Sequence, residues 1–557
     1  MKRFSLILVL FFYCPNVWAK TLLVPSGQYP TIQSAINAAS DGDVVIVSPA
    51  TYYENINFHG KAITVCSVNP DDPNVVAATV INGSLPADPN IGSVVTFASG
   101  EDSNSVLSGF TITGGTGSWL LVSWKYKGLC WNRCGGGVVC YNMSAPTISK
   151  NVFTNNIAGQ GGGVYIYGDP VNPNDPSNPA IHARPVITGN SFIDNSATTK
   201  HGFVPPGNNY PNGDHGDGGA IVAFQGCDPI ITGNLIQGNH ADSYGGGIHL
   251  RQWCNGLIEN NQIIGNDSWL VGGGVHITYM SSPSIRDNII KSNIAPPLGG
   301  GGIYVFNRSN PLIERNFIAE NESYYGAGIG VYSDSRPIIR SNLIVKNKGG
   351  EGILCKNDSA PVITNNTITE NTTRLNSGGI LCHATTTPVI ENNIISSNSA
   401  GYGIYTLPTS QPIVRYNDVW GNELGNYGGQ LSDQTGINGN ISVVPSFVDP
   451  DGNDYHLNYD SECIDAGDPN FSAGEMTDYD GDLRKMGQFV DIGADEVTPV
   501  DLNNDGIVDY LELAVLTDEW LRSGSQLQTD FHKDSVVDLL DYAELANQWL
   551  SKARWRK

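Results

Sequence analysis

The sequence predicts an all-β solenoid, a parallel β-helix of about ten or more coils, and three observations carry that reading. One unit, Pro-x-Ile followed by two asparagines and a glycine run, recurs as "DPIITGNLIQGN", "SPSIRDNIIKSN", "NPLIERNFIAEN", "RPIIRSNLIVKN" and "TPVIENNIISSN". From Pro229 to Pro412 successive units start 24 to 28 residues apart, with Gly256 in one proline slot; this is the period of a stacked-repeat fold. Inside each unit, apolar residues alternate over short runs between Asn and Gly, which marks strands and turns rather than helices. The third observation is compositional. The 65 glycines and 31 prolines would imply disorder if they lacked a period, and here they follow one.

The elements follow in chain order. Residues 1–19, "MKRFSLILVLFFYCPNVWA", join a basic start to an apolar run and small residues at Val17 and Ala19, which predicts a cleaved secretory signal peptide. Lipid attachment at Cys14 is the alternative, but Phe11 and Tyr13 stand where that signal needs Leu and a small residue. No later apolar run is long enough to span a bilayer. The mature protein is expected to be secreted, extracellular or at the cell surface, and monomeric. Nine of the ten cysteines remain after Cys14 is removed, so at least one is unpaired or pairs with another molecule.

Residues 20–114 are read as the N-terminal cap and first coils. They include "TIQSAINAASDGDVVIVSPATYYENI", an amphipathic helix on Ile32, Ala35 and Ile36 followed by strands, suited to covering a solenoid end. Residues 115–417 carry the repeats, three short strands to a coil. Each apolar residue should lie over its counterpart one coil below, giving an inward column of Ile187, Ile231, Ile258, Ile285, Ile313 and Ile339. The turn amides Asn151, Asn190, Asn234, Asn261, Asn288, Asn316, Asn342 and Asn366 should stack as a ladder. The glycine runs cost about 0.5–1 kcal/mol per residue against alanine, so they mark a bend where positive φ or close backbone approach admits no Cβ. Insertions break the period at 115–134, 168–184 and 196–217. Residues 418–497 lose the repeat and are expected to close the far end, and a separate module occupies 498–557.

The Pro/Asn/Gly coils, from about residue 90 to 425, resemble the right-handed parallel β-helix superfamily of pectate-lyase-like proteins. The segment "DYHLNYDSECIDAGDP…TDYDGDLRKMGQFVDIGADE" resembles the choice-of-anchor Q segment that follows such helices in secreted bacterial proteins. The resemblance implies right-handed winding. Lyases of this fold commonly use Lys, Arg or His with acidic calcium ligands, but no motif of theirs maps residue by residue onto this chain, so the resemblance assigns no catalytic residue.

Candidate site residues come from strand alternation. After each glycine run the outward column reads Tyr165, Val222, His249, His276, Tyr304, Gly330, Leu354 and Leu381, and two residues on it reads Tyr167, Phe224, Arg251, Thr278, Phe306, Tyr332, Lys356 and His383. Neighbours in a column should be about 4.8 Å apart, which places His249 on His276 with Arg251 and Tyr304 beside them. Such a face can carry Tyr, His and Thr for strand propensity alone, but the three insertions flank it, and long loops on one solenoid face belong to its binding surface. The expectation is an aromatic floor for an extended sugar chain, formed by Tyr165, Tyr167, Phe224, Phe306 and Tyr332, with Lys356 and His383. A lyase of an acidic, uronate-containing polysaccharide needs a cation for the carboxylate, a base and an acid; these roles fall to Arg251 or a calcium ion, to His249 or His276, and to Tyr304. The first alternative is a glycoside hydrolase, needing two carboxyls roughly 5–9.5 Å apart, with Asp214 and Asp217 as candidates and Asp242 nearby. The second is a non-catalytic carbohydrate-binding or surface protein. A net charge of −24 argues against nucleic acid as a partner without excluding an anionic sugar met by a local basic patch.

Cys227 and Cys254 occupy equivalent slots in adjacent coils, within the separation a disulfide spans, and a bridge is expected there. Cys355 and Cys382 are equivalent but inward, and Cys130 with Cys134 are candidates to close the Trp-rich insertion. In the last module "DLNNDGIVDYLE" offers Asp501, Asn503, Asp505, the Ile507 carbonyl, Asp509 and Glu512 at positions 1, 3, 5, 7, 9 and 12 of a calcium loop, with Gly506 at the sharp turn. A second copy, "DFHKDSVVDLLD", offers Asp530, His532, Asp534, Val536, Asp538 and Asp541. Two such loops, each leading into a helix, resemble a type I dockerin, which implies Ca²⁺ as cofactor and a cohesin-type protein as partner. Positions 10 and 11, often a Ser-Thr pair in dockerins, are Tyr510-Leu511 and Leu539-Leu540 here.

Overall fold

A computed structural model describes residues 19–124, 128–168, 183–199, 216–296, 298–472, 474, 476–497, 500, 502, 508–524, 527–531, 535–547 and 549. The signal-peptide reading lies outside them. Among them no helix is long and apolar enough to cross a membrane.

The chain winds as a parallel β-solenoid whose strands stack into one sheet of 14 strands, two of 13 and a short row of eight. One coil shows the path. Ile230–Thr232 lies in sheet 1 and Leu235–Gln237 in sheet 2, His240–Ala241 belongs to the short row, and Ile248–Arg251 lies in sheet 3. The sequence predicts three strands per coil; the fourth is the two-residue segment after the second Asn, which also pairs with its neighbours above and below. Strand neighbours are parallel and in register, and Ile187, Ile231, Ile258, Ile285, Ile313 and Ile339 form one fully buried column. Because side chains alternate, this register commits every second residue to a single apolar core.

Buried asparagines hold the two corners that flank sheet 2. Asn234 shows the pattern: its backbone N–H and Nδ2 both donate to Asn261 Oδ1 at 3.0 and 2.9 Å, and Nδ2 also donates to the Ile187 carbonyl at 2.9 Å. The ladder continues through Asn393 and Asn417 to Asn440. A second ladder at the next corner runs from Asn156 through Asn195, Asn239 and Asn266 to Asn422. Each amide is thereby satisfied by the next, which is what allows polar side chains to line a buried column. Replacing Asn288 by alanine leaves the Asn261 backbone N–H without its acceptor and takes one of three from Asn261 Nδ2. The expected loss is about 1–3 kcal/mol, read as a lower thermal midpoint than that of wild type.

At the N-terminal end helix α1, Ile32–Ala38, is started by Thr31, whose side chain accepts the Ser34 N–H in a reciprocal cap, and it buries Ile32, Ala35 and Ile36. Helix α2, Pro73–Ala78, is a one-turn insertion capped by Asp72. The far end departs from expectation. Strands Asp418–Trp420 and Gly425–Gly429 still pair with the solenoid, so the coils run past 417. The chain beyond does not simply close the end but folds back along the outer face of sheet 2. There Tyr455 and Ala494 pack with Ala319, Leu343 and Val345, while Leu457 and Ile492 pack with Ile394. The Ala494 N–H donates to Thr367 Oγ1 at 3.1 Å and Arg315 donates to Thr477 at 3.0 Å. Outward Phe317, Leu343 and Ile394 explain the difference: that strip of sheet 2 is apolar and needs a cover. The C-terminal module has helices α3, Tyr510–Glu519, and α4, Leu539–Asn547, around Val500, Val508, Leu516, Val537 and Leu545.

The expected Cys227–Cys254 disulfide is absent. Both are free, buried thiols, and both Sγ atoms donate to backbone carbonyls, Cys227 to Phe224 at 3.4 Å and Cys254 to Arg251 at 3.1 Å. Equivalent residues on stacked coils point the same way rather than toward each other, so separation alone does not make a bridge. Cys355 and Cys382 are free in the core and paired in register. Cys130 and Cys134 lie on one strand of an antiparallel hairpin, Gly117–Trp124 with Gly128–Cys134. Four residues of strand separate them by about 13 Å, beyond the reach of a disulfide.

Candidate functional site on sheet 3

The outward columns of sheet 3 assemble in the predicted register. Tyr165, Val222, His249, His276, Tyr304, Gly330, Leu354 and Leu381 follow one another coil by coil. Tyr167, Phe224, Arg251, Thr278 and Phe306 form the second column, with Tyr332 paired to Lys356 further on. The His249 and His276 rings stack with centroids 4.4 Å apart and planes 15° from parallel. Tyr304 meets His276 edge-on at 5.3 Å and then Tyr332 at 4.7 Å.

The structure does not contain an open aromatic floor. His249 is wholly buried, and His276 and Tyr304 are 4% and 8% exposed. Tyr165 and Phe224 pack with Val122, Cys130 and Cys134 of the hairpin, which removes them from any exposed surface. Tyr332 packs with Tyr304, Leu354 and Leu381. Tyr167, Phe306, Lys356 and His383 keep partial exposure. The insertion at 115–134 therefore builds a second apolar layer rather than the wall of an open trough.

Two residues contribute to this cover through a position that strand alternation does not weigh. Asp217 and Tyr244 sit immediately before the glycine runs and bridge to each other in adjacent coils. Gly245 has φ +66°, and a Cβ on it would lie 2.9 Å from His249 Cβ. That left-handed turn folds the preceding residue back over the outward column, so Tyr244 lies 5.3 Å from His276 and 6.2 Å from His249. Buried Asp217 places Oδ2 3.5 Å from Arg251 Nη1 and 3.9 Å from His249 Nδ1. Arg251 stands over Tyr279 at 4.9 Å and Phe224 at 5.7 Å, a cation held by aromatic faces and a carboxylate. The slot before each glycine run was the signal that would have found Tyr244.

Desolvation, then the charges of His276 and Arg251, hold the His249 imidazole well below its ordinary value. Burial, then Arg251, pulls His276 down to about 3. Both rings are neutral at pH 7, and among the described residues none of their ring nitrogens has a hydrogen-bond partner. Burial raises the Tyr304 phenol, so it keeps its proton. A linked stability effect follows. As pH falls below 6.5, the unfolded chain protonates these histidines while the folded chain does not, so their contribution is full above that value and is lost on acidification. The expected slope is about 1.4 kcal/mol per pH unit for each imidazole. Thermal midpoints measured from about pH 7 to about pH 5 should fall less steeply for His276→Phe than for wild type.

Of the hydrolase carboxyls, Asp214 lies outside the described residues, and Asp217 is paired with Arg251. Asp242 accepts from Thr198 and Thr199 at 2.7 and 2.8 Å and contacts His240. Sheet 3 also holds an acid that the repeat pattern did not flag. Glu351 accepts the Gly326 N–H at 2.7 Å, its other oxygen is buried without a partner, and burial pushes it up to about 7.

Of the calcium-loop residues, Asp501, Asn503, Asp505, Ile507, His532 and Asp534 lie outside the described residues. Glu512 Oε2 accepts the Asp509 N–H at 2.8 Å, and Asp541 accepts the Asp538 N–H at 2.8 Å in the second copy. Among the described residues Glu512 Oε1 is buried and has no hydrogen-bond partner, which fits the ligand that position 12 supplies to calcium. Asp530 accepts the Ser535 N–H at 2.8 Å, and Val536 bridges to Ser523.

No curated protein matches the sequence. A solved structure titled "Crystal structure of pectate lyase Pel9A" is similar at 12% identity with a TM-score of 0.34, covering 86% of this chain and 97% of that one. Residues 92–296 and 273–446 match the family model described as the right handed beta helix region, more than half of the chain, and the protein belongs to that family.

Proposed function

We propose that this is a secreted, calcium-binding β-helix protein that binds an acidic, uronate-containing polysaccharide on the outer face of sheet 3 and cleaves it by β-elimination. The observation that carries this reading is the pairing of two neutral, unpartnered imidazoles with a guanidinium. A base beside a fixed cation is what abstraction of a proton α to a carboxylate requires. Arg251 neutralises the uronate carboxylate, and a ring nitrogen of His276 takes the C5 proton. The C5–H electron pair becomes the C4–C5 double bond, the C4–O4 bond breaks, and the leaving oxygen takes the phenolic proton of Tyr304. The substrate carboxylate also offsets the Arg251 charge that weakens His276 as a base. Entry requires Tyr244 to swing off the imidazoles, while Tyr167, Phe306, Lys356 and His383 contact the chain on either side.

In the C-terminal module Asp501, Asn503, Asp505, Ile507, Asp509 and Glu512 hold one Ca²⁺, and the second loop holds another. Calcium folds the module by neutralising clustered carboxylates. The exposure of Tyr510, Leu511, Leu539 and Leu540 supports an apolar contact with a cohesin-type partner in place of the Ser-Thr pairs.

The burial of His249 and His276 favours a second reading, a non-catalytic binder in which the stack only supports Arg251 and the aromatic rim. Incubation of the purified protein with calcium against a polysaccharide panel separates the two. Ultraviolet absorbance from unsaturated uronate ends is expected. Retention without any product supports the binder, and new reducing ends without that absorbance would sink the lyase.

A further inference from the structure

We propose that the back-folded segment against sheet 2 holds a divalent transition-metal ion of the zinc class between His456, Asp480 and Asp495. One ligand atom from each lies within 4.8 Å of the others. They come from three separate stretches: the strand Asp454–Leu457, the turn closed by Thr477 and Leu483, and the loop ending at Val497. Asp454 Oδ1 engages His456 Nδ1, which leaves Nε2 directed at Asp480 Oδ2, 2.6 Å away. A carboxylate on one imidazole nitrogen with the other nitrogen facing ligands is the outer-shell arrangement that orients metal-bound histidines.

The other two ligands are preset by the backbone. Asp495 Oδ2 accepts the Leu457 N–H at 2.9 Å, and the Asp480 N–H donates to Asp478 Oδ1 at 3.0 Å. A separate observation points to a missing ligand: Asp480 is 6% exposed, and its Oδ1 is buried with no hydrogen-bond partner among the described residues. Charge agrees. The carboxylates of Asp478, Asp480, Asp491, Asp495 and Glu496 are all buried, with Arg484 and His456 as the nearby cations. Arg484 spends its Nη donors on the carbonyls of Asp491, Gly493 and Ala494 and pairs through Nε with Glu496 at 3.6 Å, which leaves the carboxylates in excess. One nitrogen and two carboxylate oxygens suit zinc, cobalt or manganese better than calcium, which takes an all-oxygen shell. The bound ion would tie three stretches of the cover to one point.

A proton on His456, shared between Asp454 and Asp480, is the rival occupant, and the experiment must separate them. The full chain is stripped with chelator, given excess calcium so that the proposed C-terminal sites are filled, and titrated with Zn²⁺ or Co²⁺ at about pH 7.5, where the ion must displace the histidine proton. One further ion per chain, visible cobalt d–d absorption and a higher thermal midpoint are expected. Asp454→Asn should weaken Co²⁺ binding about 10–100-fold, and His456→Gln should remove the absorption. No retained ion in excess calcium, or an affinity unchanged in both Asp454→Asn and Asp480→Asn, would overturn the proposal in favour of the proton. Because both Asn variants keep the side-chain shape, they carry the test even if His456→Gln does not fold.

Discussion

Replacing Arg251 by methionine is expected to lower kcat/KM on an acidic polysaccharide by about 10²–10³-fold, the effect of removing a preorganised charge from the place where negative charge develops. Arg251 is the cation nearest the imidazoles, and Asp217, Tyr279 and Phe224 hold it in place. The loss should fall mainly on kcat, because the enolate-like charge on the carboxylate grows only in the transition state. The variant also leaves Asp217 buried beside an apolar side chain, at a cost of about 3–5 kcal/mol if that carboxylate stays ionised. Arg251→Lys is therefore the necessary companion: it keeps the charge and stability but not the planar fork. If both variants turn over substrate at the wild-type rate, Arg251 has no part in the chemistry. If neither wild type nor variant forms product while Arg251→Met alone loses retention on the polymer, the binding reading stands.

Gly246→Ala is expected to be among the most damaging substitutions in the solenoid. A Cβ there would lie 2.4 Å from the Asp267 carbonyl oxygen and 2.6 Å from that of Gly273. Both are backbone atoms of the next coil, and moving them breaks pairing on two sheets. Overpacking of this kind costs about 1–3 kcal/mol where side chains can yield, and here no side chain can. Gly265→Ala is the control: its Cβ meets nothing within 4 Å, but φ is +62°, so the cost is limited to about 1–2 kcal/mol of backbone strain. Thermal midpoints should rank wild type above Gly265→Ala above Gly246→Ala. Equal midpoints for the two variants would mean the glycine runs are not there to let coils approach.

The column of isoleucines, the first asparagine ladder and the stacking of His249 on His276 were legible because a parallel solenoid turns sequence period directly into spatial adjacency. A residue equivalent by count is a neighbour by hydrogen bond, and alternation assigns its face. The proposed calcium loops rest on a different kind of signal, a ligand spacing confined to one turn of chain.

What the linear pattern alone determined, then, is which side chains lie over one another along each sheet of the helix. It did not determine what covers those sheets. Whether Tyr165 and His276 meet solvent depends on a hairpin and on Tyr244, whose placement follows from a left-handed glycine turn. Whether sheet 2 is bare depends on a segment that returns from past residue 440. Period encodes contact between equivalent residues, whereas contacts between non-equivalent segments carry no period, and the tertiary structure alone decides them. The same division explains the cysteines, whose spacing placed Cys227 beside Cys254 but whose common direction kept them unbridged.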